Sequence, residues 1–197
     1  MSPRPDVSAE RKPQILTAAL QVFLAKGLDS ARMEDIAVQA ELSVGNLYRY
    51  FSGKLDLTIA LMDLLLAPSL QKLEELLNAP GTSRHRLETA FLDDLAAQGQ
   101  QETFLYAEMY HLAHKEPAVR QMLQSYNARY QKHIEMILAQ GIERGELRST
   151  DPTAAAFAFQ AIYDGLMQNL PLMQANFDLT YTLRQNFEIL FNGLSAP

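Results

Sequence analysis

No cysteine occurs among the 197 residues, which excludes a disulfide framework and any thiolate metal site and leaves an unmodified cytoplasmic setting as the expectation. Long apolar runs are missing as well. No stretch approaches the roughly 18 consecutive apolar residues needed to cross a bilayer, and the N-terminal MSPRPDVSAERKPQ lacks the apolar centre of a secretory leader. A soluble chain with no membrane partner is expected. Alternating β-branched runs are absent too, so nothing in the pattern asks for a sheet. An excess of positive charge is also lacking, the net charge being -6. The acid is unevenly placed: residues 1–56 hold seven Lys or Arg against seven Asp or Glu, and the remainder ten against sixteen. A neutral head on an acidic body binds a polyanion only if its bases gather on one face.

What is present is apolar spacing at three- and four-residue steps along nearly the whole chain, which predicts an all-α fold of nine helices. The first is expected from Pro13, suited to a first helical turn, to Lys26, with Ile15, Ala19 and Phe23 on one side and Gly27 as its stop. Two short helices follow, Met33 to Ala40 and Val44 to Tyr50, separated by "ELS". A fourth starts beyond Ser52 and Gly53, carries Leu57, Leu61, Leu64 and Leu65, and ends before "NAPGTS". Two domains are expected, a three-helix head over residues 1–56 and a helical bundle over 57–197.

Two short helices joined by a tight turn and buttressed by a longer one make a helix-turn-helix, whose second helix enters the major groove of double-stranded DNA. Ser43 fits the N-cap of that helix. Leu47 and Phe51 face inward at an i,i+4 spacing, which leaves Val44, Gly45, Asn46, Tyr48, Arg49 and Tyr50 nearer the outside. Hydroxyls, an amide and a guanidinium there suit phosphates and base edges; the plainer reading of Tyr48 is a ring packed on the first helix.

The segments ILTAALQVFLAKG, MEDIAVQAELSVGNLYRYF and GKLDL together resemble the DNA-binding head of the TetR family of transcriptional repressors, most specifically through Leu47, Tyr48, Tyr50, Phe51 and Lys54. HKEPAVRQML, GIERGEL and DPTAAAFAFQAIYDGLM resemble the C-terminal part more loosely. The resemblance implies no enzyme and no cofactor, but a DNA-binding homodimer released by a small-molecule effector. Two departures stand out. Glu41 occupies a turn position where the family usually has Gly, and a left-handed backbone there costs a side-chain-bearing residue about 1 to 2 kcal/mol. Ala31 and Arg32 replace the usual Ser or Thr at the start of the second helix, which removes a cap and makes Arg32 a candidate phosphate contact. Lys54 opposes the dipole at the start of its helix, and a facing phosphate offsets that.

In the second part, Tyr, His and Met side chains interrupt a Leu-rich interior. Each carries a polar or polarizable tip that a dry core must satisfy and a ligand pocket uses. Leu65, Phe104, Tyr110, His111, Tyr126, Tyr130, His133, Tyr163 and Met167 are the candidate lining for an apolar or aromatic effector; ordinary core is the alternative for each. Ala154, Ala158, Ala161 and Gly165 form a small-residue strip on helix eight, and Leu183, Phe187 and Leu190 belong to an apolar stripe on helix nine. Both are read as the dimer interface that a palindromic operator requires. An enzyme reading starts from Glu108 and His111, a Glu-x-x-His pair, but a carboxylate-bridged two-metal bundle needs that motif twice and it occurs once. A helical carrier or interaction protein without DNA function explains the acidic body and leaves the Tyr48 to Lys54 cluster unused.

Overall fold

The computed structural model describes residues 7–97, 100–172 and 177–194, and among these it contains nine α-helices and no strand. They are α1 (Val7–Lys26), α2 (Met33–Gln39), α3 (Val44–Leu47), α4 (Lys54–Leu77), α5 (Ser83–Ala97), α6 (Gln100–Leu112), α7 (Pro117–Glu143), α8 (Pro152–Asn169) and α9 (Leu179–Leu194), with a 3-10 turn at Leu170–Leu172 after α8. The all-α expectation holds, with two shifts. Helix α1 begins before Pro13, which lies inside it. Helix α3 is shorter than expected, Tyr48 to Tyr50 continuing it as a turn.

The chain divides into two compact units, Met1–Leu65 with Glu108–Met122, and Leu66–Ala107 with Leu123–Pro197. The boundary expected at 56/57 therefore moves to the middle of α4. Helices α4, α6 and α7 each contribute residues to both units.

In the first unit Ile15, Ala19 and Phe23 of α1, Ile36 and Ala37 of α2, Leu47 and Phe51, and Leu57 and Leu61 of α4 are all buried. The three-to-four residue spacing read from sequence thus points inward in each helix. Gly27, at φ +78, ends α1 in the left-handed conformation that favours glycine.

The second unit has a core in which Phe91 of α5, Phe159 of α8, and Phe187 and Phe191 of α9 stack edge-on or tilted around one another. Its other anchor is polar. Arg86 is wholly buried and donates to the Leu77 carbonyl at the end of α4 (3.0 Å), to Gln140 of α7 (2.6 Å) and to Ser83 (3.2 Å). No carboxylate pairs with it among the described residues, and burial, with Arg144 adding to it, pulls the guanidinium below its ordinary value. It serves as a cap, filling orphan carbonyls at the end of α4.

Gly141 lets α7 approach this anchor. A Cβ there would lie 2.5 Å from Ser83 Oγ and 2.8 Å from Ser83 Cβ, and Ser83 cannot yield because its hydroxyl bonds the Ile137 carbonyl at 2.8 Å. Alanine gains at most about 1 kcal/mol of helix propensity over glycine, whereas overpacking costs about 1 to 3 kcal/mol. Gly141→Ala is therefore expected to lower stability by about 1 to 2 kcal/mol, read as a lower urea midpoint at unchanged m; an unchanged or raised midpoint would show that α5 can move aside.

Candidate nucleic-acid interface and effector cluster

The reading surface starts at a strained turn. Glu41 has φ +54, the one positive-φ residue other than glycine among those described, so the left-handed geometry expected there is present with a side chain bearing its cost. Ser43 follows in extended conformation, and its Oγ accepts the Asn46 N–H at 3.2 Å, capping α3. Leu47 and Phe51 are buried beneath it. On the other side Ser43, Gly45, Tyr48 and Arg49 are exposed, Tyr48 by 49%, while Val44, Asn46 and Tyr50 are half-buried. Tyr50 sits deeper than the sequence suggested.

Arg32 is exposed, just before α2. The missing Ser or Thr cap is replaced from within the helix: the Asp35 carboxylate accepts the Arg32 backbone N–H at 3.1 Å and pairs with Lys26 at 2.6 Å. The Lys26 bond, then the Arg32 N–H, hold the Asp35 carboxyl below its ordinary value. The side chains of Arg32 and Arg49 form no ion pair or hydrogen bond among the described residues, which leaves both cations for an external anion.

Lys54 does not behave as expected. Its Nζ donates to the carbonyls of Leu28 (2.9 Å), Asp29 (3.0 Å) and Ala31 (3.0 Å). An ammonium has three protons, all spent on the loop between α1 and α2, so the phosphate role read from sequence is corrected to that of a clamp. Glu108 of α6 completes it by accepting the Leu28 N–H at 2.8 Å. In the sequence Glu108 stands out only through the Glu-x-x-His spacing, and nothing local marks its partner 80 residues away.

Among the candidate lining residues, Leu65, Tyr110 and His111 belong to the first unit, and Tyr126, Tyr130, His133, Tyr163 and Met167 to the second. The side chain of Phe104 lies outside the described residues. His111 is exposed beside His114. His133 is half-buried, with Nδ1 2.7 Å from its own helix's Arg129 carbonyl. His111 is thus at the surface, while His133 lies at the edge of the buried face of α7, three residues after Tyr130 and four before Ile137. Tyr130 and Tyr163 are buried and Tyr126 and Met167 partly so, all four packed in the aromatic core.

Beside that core lie two acids that spacing alone does not single out, Asp94 of α5 and Asp164 of α8. Asp94 accepts the Tyr163 hydroxyl at 2.6 Å and the Ser69 hydroxyl. Desolvation raises its carboxyl, against the pull of those two bonds. Desolvation, against a bond from Gln160 and with some help from Asp94, pushes Asp164 up to about 6. The same loss of water, with Asp94 next, raises the Tyr130 and Tyr163 hydroxyls well above their ordinary range.

The dimer candidates separate. Ala154 and Ala161 are exposed and Ala158 and Gly165 half-buried. Leu190 lines a shallow apolar groove with Ala155, Ala158, Phe159, Gly193 and Leu194. Leu183 and Phe187 are only 0% and 1% exposed, because that side of α9 packs on Phe91 and Phe159 of the same chain; they are withdrawn from the interface. The outward apolar residues are Phe157, Tyr181 and Ile189.

A capped recognition helix on a three-helix head, joined to a helical bundle, defines a helix-turn-helix DNA-binding regulator. Residues 15–61 match the model of bacterial regulatory proteins of the tetR family, and residues 103–185 match that of the tetracyclin repressor-like C-terminal domain; the chain belongs to the TetR family of transcriptional regulators, which are not enzymes. It is 22% identical over 182 residues to the fatty acid metabolism regulator protein of Bacillus subtilis, covering 92% of this chain and 94% of that one. A transcriptional regulator from Saccharomonospora viridis in complex with choline shares the fold at TM-score 0.84 and 18% identity, covering 96% and 100% of the two chains. The regulator FadR of Bacillus subtilis in complex with stearoyl-CoA does so at TM-score 0.71 and 23% identity, covering 91% and 97%.

Two expectations test these assignments. Lys54→Ala should destabilise the protein by about 2 kcal/mol, as loss of charge-assisted hydrogen bonds does, whereas Arg49→Ala should leave stability unchanged and lower the salt slope of DNA binding by about one phosphate contact. Denaturant melts and salt titrations check both, and a reversed pattern would return Lys54 to the DNA.

The second concerns Asp164. Its folded-state carboxyl keeps a proton that the unfolded chain releases near 3.8. Its contribution is therefore fully present below about pH 4 and lost as pH rises through about 6. Asp164→Asn removes that loss, so the variant should gain on the order of 2 kcal/mol relative to the parent between pH 4 and pH 7. Melts across that range giving parallel curves would place the carboxyl in water.

Proposed function

We propose that the chain is an effector-released repressor that binds an inverted-repeat operator as a homodimer. The observation that carries this reading is the capped, outward-facing run from Ser43 to Arg49 over buried Leu47 and Phe51, one recognition element per chain. One such element reads half a site. A two-fold pair reads two half-sites spaced by about one helical turn, some 34 to 36 Å.

The surface offered to a second copy combines Ala154, Ala158, Ala161 and Gly165 with Phe157 on α8, and Tyr181, Ile189 and Leu190 on α9. Large apolar side chains exposed beside a strip of small ones suit close helix-on-helix approach, and a self-complementary patch is what a two-fold interface needs.

Release by a small molecule is supported by the polar and aromatic groups of the second unit's core and by relatives crystallised with choline and with stearoyl-CoA. The path is covalent: α4 and α6, which supply Lys54 and Glu108 to the clamp, both continue into the second unit. A ligand that shifts their far segments acts on the loop that seats α2. The carrier reading leaves the strained turn at Glu41 and the unpaired Arg32 and Arg49 without a use.

Footprinting on sites selected from random duplex DNA tests the proposal. The expected result is protection of an inverted repeat with two protomers bound at saturation; a single asymmetric half-site held by one protomer would overturn it. Glu41→Gly should tighten binding, because it relieves left-handed strain and removes a charge from the approach to phosphate.

A further inference from the structure

Residues 1–56 carry seven cations, and most of them are engaged within the chain. Arg4 lies outside the described residues. Arg11 donates to Gln14 at 3.0 Å on the same helix, Lys26 pairs with Asp35 at 2.6 Å, and Lys54 spends its three protons on the loop between α1 and α2. The side chains of Lys12, Arg32 and Arg49 form no ion pair or hydrogen bond among the described residues. These three cations stand on three elements, α1, the start of α2 and the end of the recognition turn.

Lys12 is placed by a ring. It is exposed on α1, and its Nζ lies over the Phe51 ring, 5.8 Å from the centroid, within the distance at which a ring face attracts an ammonium. Phe51 is buried, and its N–H bonds the Leu47 carbonyl at 3.2 Å, closing the turn at 48–50 that follows α3. The ammonium is therefore held against the end of the element that carries Tyr48 and Arg49, in the same compact unit. A lysine ends a flexible four-carbon stem, and one already held near its place loses less freedom when an anion arrives. Phosphates line both edges of the groove that a recognition helix enters, and contacts to them from several elements fix the protein's register on the duplex.

Resting on the DNA-binding reading above, we propose that Lys12 is a further operator contact, an ammonium that the Phe51 ring positions for a backbone phosphate beside the end of the recognition turn. It supplies from α1 the phosphate contact that Lys54, spent on loop carbonyls, does not. A contact of this kind reads no base. It strengthens binding to operator and to unrelated duplex alike, and it weakens with salt because each phosphate neutralised releases about one counterion.

The experiment is salt titration of the full-length protein on a selected operator and on a random duplex, using the parent, Lys12→Gln, Lys12→Arg and Lys132→Gln. Lys132 lies in the second unit and pairs with Glu135, so its variant controls for net charge. Lys12→Gln is expected to weaken binding to both duplexes about five- to tenfold at about 0.1 M salt and to lower the slope of log affinity against log salt by about 0.9. Lys12→Arg keeps the charge and stacks on a ring, and is expected to match the parent. Lys132→Gln is expected to leave the slope unchanged. A parental slope in Lys12→Gln would overturn the assignment and leave the DNA-binding reading standing. An equal loss in Lys132→Gln would overturn it as well, since the effect would then be one of net charge. Weakening on the operator alone would make Lys12 a base contact and overturn the phosphate role. A parent that binds neither duplex at low salt would sink both readings together.

Discussion

The loop between α1 and α2 has its backbone held from two directions, and the head's geometry depends on it. Three carbonyls of that loop take the three protons of Lys54, and the N–H of Leu28 is taken by Glu108. A loop of this kind ordinarily finds water for its polar groups. Here it is fixed by charged side chains from α4 and α6, so α2 leaves it at a set angle and α3, joined to α2 by the short turn 40–43 that contains the strained Glu41, inherits that angle. Helices α4 and α6 also contribute residues to the second unit, so the release proposed above would act through these same bonds.

Local chemistry was legible in the sequence, and distant partnership was not. The Ser43 cap and the inward pair Leu47 and Phe51 follow from interactions within four residues, which spacing and side-chain type specify; the left-handed turn at Glu41 was implied by the resemblance, which has Gly at that position. Lys54 was misread because its partners lie 23 to 26 residues back and a cation at a helix start looks the same from sequence whether it faces a phosphate or a carbonyl. Leu183 and Phe187 were misassigned for a related reason. The apolar stripe on α9 is real, but a helix that packs on its own chain on one side and meets solvent on the other leaves for a partner the edge of the stripe, Leu190, and residues beyond it such as Ile189.

The acids of the second unit illustrate the limit most sharply. Asp93 and Asp94 are adjacent and chemically identical, yet Asp93 pairs with Lys72 at the surface while Asp94 is turned to Ser69 and Tyr163. A single residue step along α5 rotates the side chain by about 100°, which separates solvent from core. Tyrosine and methionine enrichment hinted at a polar interior; which carboxyl enters it is decided by the packing of α4, α5 and α8.

If one chain couples an effector site to an operator site, as proposed, the coupling is reciprocal by thermodynamic necessity. The most direct measurement is the affinity of one effector for the free protein and for the operator-bound protein, beside the affinity of the operator with and without saturating effector. Two equal factors are expected, each of about 5- to 150-fold weakening. A factor of one in both directions, with the effector bound in the second unit, would contradict it.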